Sequence, residues 1–119
     1  MRVLVVDDHP DTADALEIVL KAAGHVVQTA YSGTDAVQLA NEFAPDLAFV
    51  DIQLPDISGF AVAKELRKQS GRVNIVAITG GDSRKLPFAS NFDQHLVKPV
   101  SAKQIYQLIE VAREAIKVA

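Results

Sequence analysis

The chain has no cysteine and no tryptophan. The first absence excludes disulfide frameworks, thiolate nucleophiles and cysteine-ligated zinc. Surplus positive charge is missing too: 12 Lys and Arg stand against 15 Asp and Glu, a net charge of -3. Gripping nucleic-acid phosphates needs a basic patch, so nucleic acid is not expected as a partner. No apolar run approaches the roughly 18 residues that span a bilayer. The opening MRVLVVDDHP reaches its acids too early for a signal peptide. There is no GxxxxGK[ST] stretch, which excludes a P-loop NTPase. Repeats, linkers and low-complexity segments are absent as well. From these absences we expect a soluble, cytoplasmic protein with no membrane partner.

What is present suits one domain. The 119 residues are 49% hydrophobic and 23% charged, enough for a core and too ordinary for disorder. Apolar, β-rich runs alternate with segments of helical period. Strands are expected at 3–6, 25–29, 46–50, 73–78 and 95–97. Helices are expected at 11–23, with Asp11 or Thr12 as N-cap, then from 33 to about 43, at 59–68, and from 101 onward. Ser32 with Asp35, and Ser101 with Gln104, have capping-box spacing. Leu16, Val19, Leu20 and Ala23 form one helix stripe. Ile105, Leu108, Ile109, Ala112 and Ile116 form another. The first, third and fourth strands are apolar throughout, as strands buried on both faces are. Strand and helix alternate along the whole chain, so the class is α/β: a single parallel sheet with helices on both faces.

Ligands of such sheets bind beyond the C-terminal strand ends. There the first strand delivers Asp7-Asp8, the third Asp51, the fourth Thr79-Gly80-Gly81, and the fifth Lys98-Pro99. The first and third strands are expected to be neighbours, which converges three carboxylates. Like charges so close raise one another's pKa and weaken the fold, unless a hard cation belongs among them. Mg²⁺ takes one or two carboxylates, a carbonyl and several waters. Lys98 adds a point charge and Thr79 a hydroxyl. The set suits a phosphoryl group held by a metal.

The sequences VVDDHP, FVDIQLPDISGF, AITG and LVKPV, in that order along the whole chain, resemble the receiver domain of bacterial two-component response regulators. The resemblance implies a flavodoxin-like doubly wound sheet of five strands in the order 2-1-3-4-5. It implies that Asp51 accepts a phosphoryl group from a sensor histidine kinase or a histidine phosphotransfer protein. Asp8 then binds Mg²⁺ directly, Asp7 through water, and the Gln53 carbonyl completes the protein ligands with Asp51. Mn²⁺ is expected to substitute. Thr79 bonds the phosphoryl oxygens and shifts inward, Lys98 pairs with Asp51, and His95 stands where the family's rotating aromatic does. Lys98-Pro99 resembles the family's cis peptide. The implied output is a switched surface that binds a downstream protein, in a monomer or weak homodimer. Turnover is limited to its own phosphoryl group, so it is not an enzyme in the ordinary sense.

Residues 1–119 read as a single receiver domain with no output domain. Histidine at position 95 is similar to receivers attached to hybrid kinases, and its titration would add pH sensitivity. The segment from Thr79 to Lys98 is about one helical turn short (compare), and Pro87 lies in it. A fourth helix there is expected to be short or irregular. Gly81 and Gln53 lie near the path of hydrolysis. Asp56 reads as a turn former before Ser58-Gly59, and Phe43, Phe49 and Phe60 as core. His9 adjoins the acids, but without cysteine or a second nearby histidine it is not assigned to a metal. Two rivals lack their signatures. An aspartate-nucleophile phosphatase would have a second Asp where Gln53 stands. An FMN binder would have a Ser/Thr/Gly-rich loop where Asp7-Asp8-His9-Pro10 stands. A phosphorylation-independent adaptor of the same fold is the remaining alternative.

Overall fold

Five-residue, mostly apolar runs such as Arg2–Val6 and Leu47–Asp51 are too short for helices and bury best inside a sheet. The computed structural model describes residues 1–80 and 91–118, with side chains to residue 114. In chain order the elements are β1 (Arg2–Val6), α1 (Pro10–Ala22), β2 (Val26–Ala30), α2 (Gly33–Phe43), β3 (Leu47–Asp51), α3 (Gly59–Gln69), β4 (Asn74–Thr79), β5 (Gln94–Val97) and α4 (Ala102–Val118). All strand pairs are parallel, in the order β2-β1-β3-β4-β5. This is the expected flavodoxin-like sheet. The short or irregular helix expected between β4 and β5, with Gly81 and Pro87, lies outside the described residues.

Alternation along the strands sends side chains to opposite faces. Val3, Val5, Phe49, Val76 and Ile78 meet Leu16 and Leu20 of α1 and Ile105, Leu108, Ile109 and Ala112 of α4. On the other face Leu4, Val6, Val50 and Ile75 meet Ala36 and Ala40 of α2 and Val62, Ala63 and Leu66 of α3. Fully burying one such side chain contributes ~1.5–3 kcal/mol before entropy is counted. The helix stripe read from sequence for α4 is thus correct from Ile105 to Ala112, and Ile116 lies outside the described side chains. On α1, Ala13 is buried and Ala23 is exposed beyond the helix end. Phe60 is half-buried and stacks edge-on to Phe92 at 5.6 Å instead of entering the core.

The start of α1 corrects the expected cap. His9, not Asp11 or Thr12, is the N-cap residue, and no side chain bonds the free N–H groups there. Pro10 lacks an N–H and has its φ preset for a helix, so it opens the helix one residue earlier. Both serines cap their helices, but only the Ser101–Gln104 box closes in both directions, with Gln104 Oε1 accepting from the Ser101 N–H at 2.9 Å. Ser32 Oγ accepts from Asp35 N–H at 3.2 Å, and Ser101 Oγ from Gln104 N–H at 3.2 Å. At the opposite end of the sheet two arginines act as clamps. Arg2 donates to the Phe43 carbonyl at the end of α2 (2.7 Å) and lies 4.3 Å over the Phe43 ring. Arg67 of α3 pairs with Asp93 Oδ2 (2.7 Å), which also accepts from Ile75 N–H (2.7 Å).

His25 is buried next to β2, with Nδ1 3.0 Å from the terminal ammonium of Met1. Burial, then the positive charges of that ammonium and of Arg113, hold its pKa below the usual 6.5. The unfolded chain therefore takes up a proton before the folded one does. Stability contributed at neutral pH is lost as pH falls from about 6.5 toward the depressed folded value. Urea midpoints of the wild type are expected to fall more steeply between about pH 7 and 5 than those of His25→Gln. Parallel slopes would show that His25 does not carry the dependence.

Candidate functional site

Register assembles the site. Val6 is opposite Val50, so the next residues, Asp7 and Asp51, emerge side by side at the end of β1 and β3. Asp51 is opposite Ile78, and Thr79 is opposite Val97, so Thr79 and Lys98 follow at the ends of β4 and β5. The Lys98 N–H donates to the Thr79 carbonyl at 2.8 Å, and the Lys98–Pro99 peptide is cis.

Asp51 is buried, as are Asp7 and Thr79. Asp51 Oδ1 accepts from the Gln53 N–H (2.9 Å) and Oδ2 from Lys98 Nζ (2.9 Å). The same Nζ lies 3.1 Å from Asp7 Oδ2, an ion pair that lacks hydrogen-bond geometry. Burial disfavours the Lys98 ammonium, but the bond to Asp51 and the negative charges of Asp51 and Asp7 outweigh it and raise its pKa. Lys98 is thus fixed as a cation between two acids. Asp7 Oδ1 accepts from the His9 N–H at 2.9 Å. The His9 ring Nδ1 lies 3.1 Å from Asp7 Oδ1 and 3.2 Å from Asp8 Oδ1. Ligand atoms of Asp7, Asp8, His9 and Asp51 all fall within 4.8 Å of one another.

The cluster is short of positive charge. Three carboxylates face one lysine, and two buried oxygens, Asp7 Oδ2 and Asp8 Oδ1, receive no hydrogen bond. Asp7 Oδ2 has only the ion pair to Lys98, which Asp51 shares, and burying anionic oxygen so thinly paired is costly. A hard divalent cation removes that cost, and this donor set fits one. The expected residues Asp7, Asp8, Asp51, Thr79 and Lys98 therefore come together. Gln53 touches Asp51 through its backbone, with its side chain exposed. His95 stands apart on the open side of β5, pairing in register with Ala77.

Two contributors were hidden in the sequence. Asp56 accepts from the N–H groups of Gly33 (2.9 Å) and Thr34 (2.8 Å) and from the Thr34 hydroxyl. Its turn therefore ties the loop after β3 to the start of α2. The Thr34 hydroxyl first, then the two backbone N–H groups, hold its carboxyl far below the ordinary range. The second is Gly59. A Cβ there would lie 2.4 Å from the Asp51 carbonyl oxygen and 2.5 Å from Ile52 Cα. Beside Lys98, a separate, largely apolar groove of about 560 Å³ runs between α1 and α4, past Thr12, Leu16, Pro99 and Ile105.

Residues 3–110 match the family model of the response regulator receiver domain. The chain belongs to that family. This receiver domain is similar in fold to a response regulator receiver domain protein from Methanospirillum hungatei, with a TM-score of 0.88 and 24% identity over 99% of this chain and 98% of that one. It is similar to the response regulator protein TrrA from Thermotoga maritima, solved in complex with Mg²⁺-BeF, at a TM-score of 0.85 and 29% identity over 93% and 97% of the two chains. Against NtrX from Brucella abortus the TM-score is 0.90 with 30% identity, over 98% of this receiver but 27% of that chain. As a receiver domain, the chain is a signalling module of two-component systems. No helix among the described residues is long and apolar enough to cross a membrane.

Proposed function

We propose that this receiver domain is a phosphoacceptor, with Asp51 as the residue that carries the phosphoryl group. One observation carries the reading: the Asp51 carboxylate is buried yet held at both oxygens, by Gln53 N–H and Lys98 Nζ, beside two further acids. Aligned this way, an Asp51 oxygen attacks the phosphorus of a phosphohistidine on a kinase or phosphotransfer protein. The new O–P bond gives an acyl phosphate as the P–N bond breaks and the imidazole leaves with its electron pair. Lys98 holds the charge that Asp51 loses to the phosphoryl oxygens, and the Thr79 hydroxyl bonds one of them. Asp7, Asp8, Asp51 and the Gln53 carbonyl would hold Mg²⁺, which neutralises phosphoryl charge when bound; Mn²⁺ would serve in its place. TrrA, solved with Mg²⁺-BeF, supports that assignment by likeness. Movement of Thr79, with His95 following, would alter the surface offered to a downstream protein.

Intact mass after incubation with acetyl phosphate or phosphoramidate tests this. One added phosphoryl group with Mg²⁺, and none with EDTA, is expected. No gain together with no Mg²⁺ binding would favour a phosphorylation-independent adaptor. A related result is expected for Asp8→Asn. Losing one of three crowded acids should stabilise the metal-free fold by about 1 kcal/mol, or about 4 °C in Tm. The same change should remove the stabilisation that Mg²⁺ gives the wild type. Thermal unfolding in EDTA and in Mg²⁺ checks both. A lower Tm in EDTA would count against a repulsive cluster.

A further inference from the structure

We infer that Asp56 is a positioning residue of the phosphoacceptor site: by latching the loop after β3 to the start of α2, it holds the Gln53 backbone in place against Asp51. The inference rests on the phosphoacceptor reading above and adds to it a residue outside the acid cluster, whose carboxylate is turned to α2. Residues 52–58 join β3 to α3. Gln53 is where that loop meets the site. Its N–H donates to Asp51 Oδ1 (2.9 Å), and its carbonyl is the backbone ligand proposed for Mg²⁺. Both ends of the loop are fixed close to β3. The Ile52 N–H donates to the Ile78 carbonyl (3.1 Å), and the Gly59 N–H to the Ile52 carbonyl (3.0 Å). The middle is held from α2.

Asp56 completes a helix that its own sequence leaves unfinished. The first N–H groups of a helix have no partner within it. Ser32 Oγ takes the one from Asp35. Asp56 takes the two before it, from Gly33 (2.9 Å) and Thr34 (2.8 Å), and the Thr34 hydroxyl as well. A carboxylate also suits the positive end of the helix dipole. Packing seats the same joint. A Cβ on Gly33 would collide with Ile57 Cγ1, so the loop residue after Asp56 lies directly on the first residue of α2. Asp56 and Thr34 are themselves exposed and belong to neither core. Losing the carboxylate should therefore free the loop without unfolding the domain. A loop in place only part of the time weakens apparent ion binding by that fraction. At saturating Mg²⁺ the placed loop is selected, so phosphoryl uptake recovers.

The test compares the full chain with Asp56→Ala and Asp56→Asn. One readout is hydrogen exchange of the Gln53 amide in EDTA, followed by NMR. The other is the Mg²⁺ dependence of phosphoryl uptake from acetyl phosphate, followed by intact mass. In Asp56→Ala the amide should exchange about 10-fold faster and half-maximal uptake should need about 10-fold more Mg²⁺, while the rate at saturating Mg²⁺ stays within about 3-fold. Asp56→Asn keeps an accepting oxygen and should recover most of both shifts. Thr34→Ala removes one bond from the α2 side. It should move both readouts the same way by less, and it carries the test if Asp56→Ala does not fold. Unchanged exchange and Mg²⁺ dependence in folded Asp56→Ala would overturn the inference. So would a rate that falls equally at every Mg²⁺ concentration, the mark of a merely unfolded fraction, or an Asp56→Asn no better than Asp56→Ala. Absence of uptake by the wild type at any Mg²⁺ concentration would overturn the phosphoacceptor reading itself, and this inference with it.

Discussion

Asp51→Asn is expected to take up no phosphoryl group from acetyl phosphate under conditions that label the wild type, and to remain folded. An amide oxygen is a poor nucleophile, and its attack would leave a cationic imidate in place of a neutral acyl phosphate. The fold has reason to tolerate the change. Gln53 N–H can still donate to the remaining oxygen, and Lys98 keeps Asp7 at 3.1 Å. Removing one of three crowded carboxylates offsets part of the lost ion pair, so the stability change should stay within about 1 kcal/mol. Intact mass and a thermal melt on the same sample separate the two effects. Labelling that persists in Asp51→Asn would mean that another side chain is the nucleophile, with Asp7 and Asp8 the first to try.

Gly59→Ala is expected to be the most damaging single methyl in the chain's active end. The added carbon would sit 2.4 Å from the Asp51 carbonyl oxygen, 2.5 Å from Ile52 Cα and 3.0 Å from the Asp51 carbonyl carbon. All three are backbone atoms and cannot swing aside like a side-chain tip. Either the start of α3 lifts or the end of β3 bends, and the Gly59 N–H bond to the Ile52 carbonyl (3.0 Å) goes with it. A cost of about 3 kcal/mol follows from overpacking of this kind, or about 12 °C in Tm for a domain of this size. Because the atom struck belongs to Asp51, phosphoryl uptake should slow even below the melting range. Gly71→Ala is the control, since its added carbon meets nothing within 4 Å. Equal melting of the two variants would show that the loop gives way without consequence.

The alternation of strands and helices was legible in sequence because it depends on local periodicity. So were the capping serines, Ser32 reaching Asp35 and Ser101 reaching Gln104 within one turn. The site residues were legible because the parallel sheet brings strand ends together, and each strand ended on a chemically distinctive residue. Where a neighbour's chemistry replaced the local signal, the reading went astray. Asp11 and Thr12 are ordinary caps by type, yet Pro10 moved the helix start to His9. Asp56 has the look of a turn residue, and only the fold shows its carboxylate spanning to Gly33 and Thr34.

By itself the sequence determined the α/β class, the burial of β1, β3 and β4, and the identities of Asp7, Asp8, Asp51, Thr79 and Lys98 as the groups at the strand ends. These follow from residue type and spacing along one strand or helix. Tertiary structure alone decided that Lys98 bridges Asp7 as well as Asp51, and that Gly59 must be glycine because backbone lies against it. Those are distances between segments far apart in the chain. They are set by strand register and helix packing, which no local pattern of residues encodes.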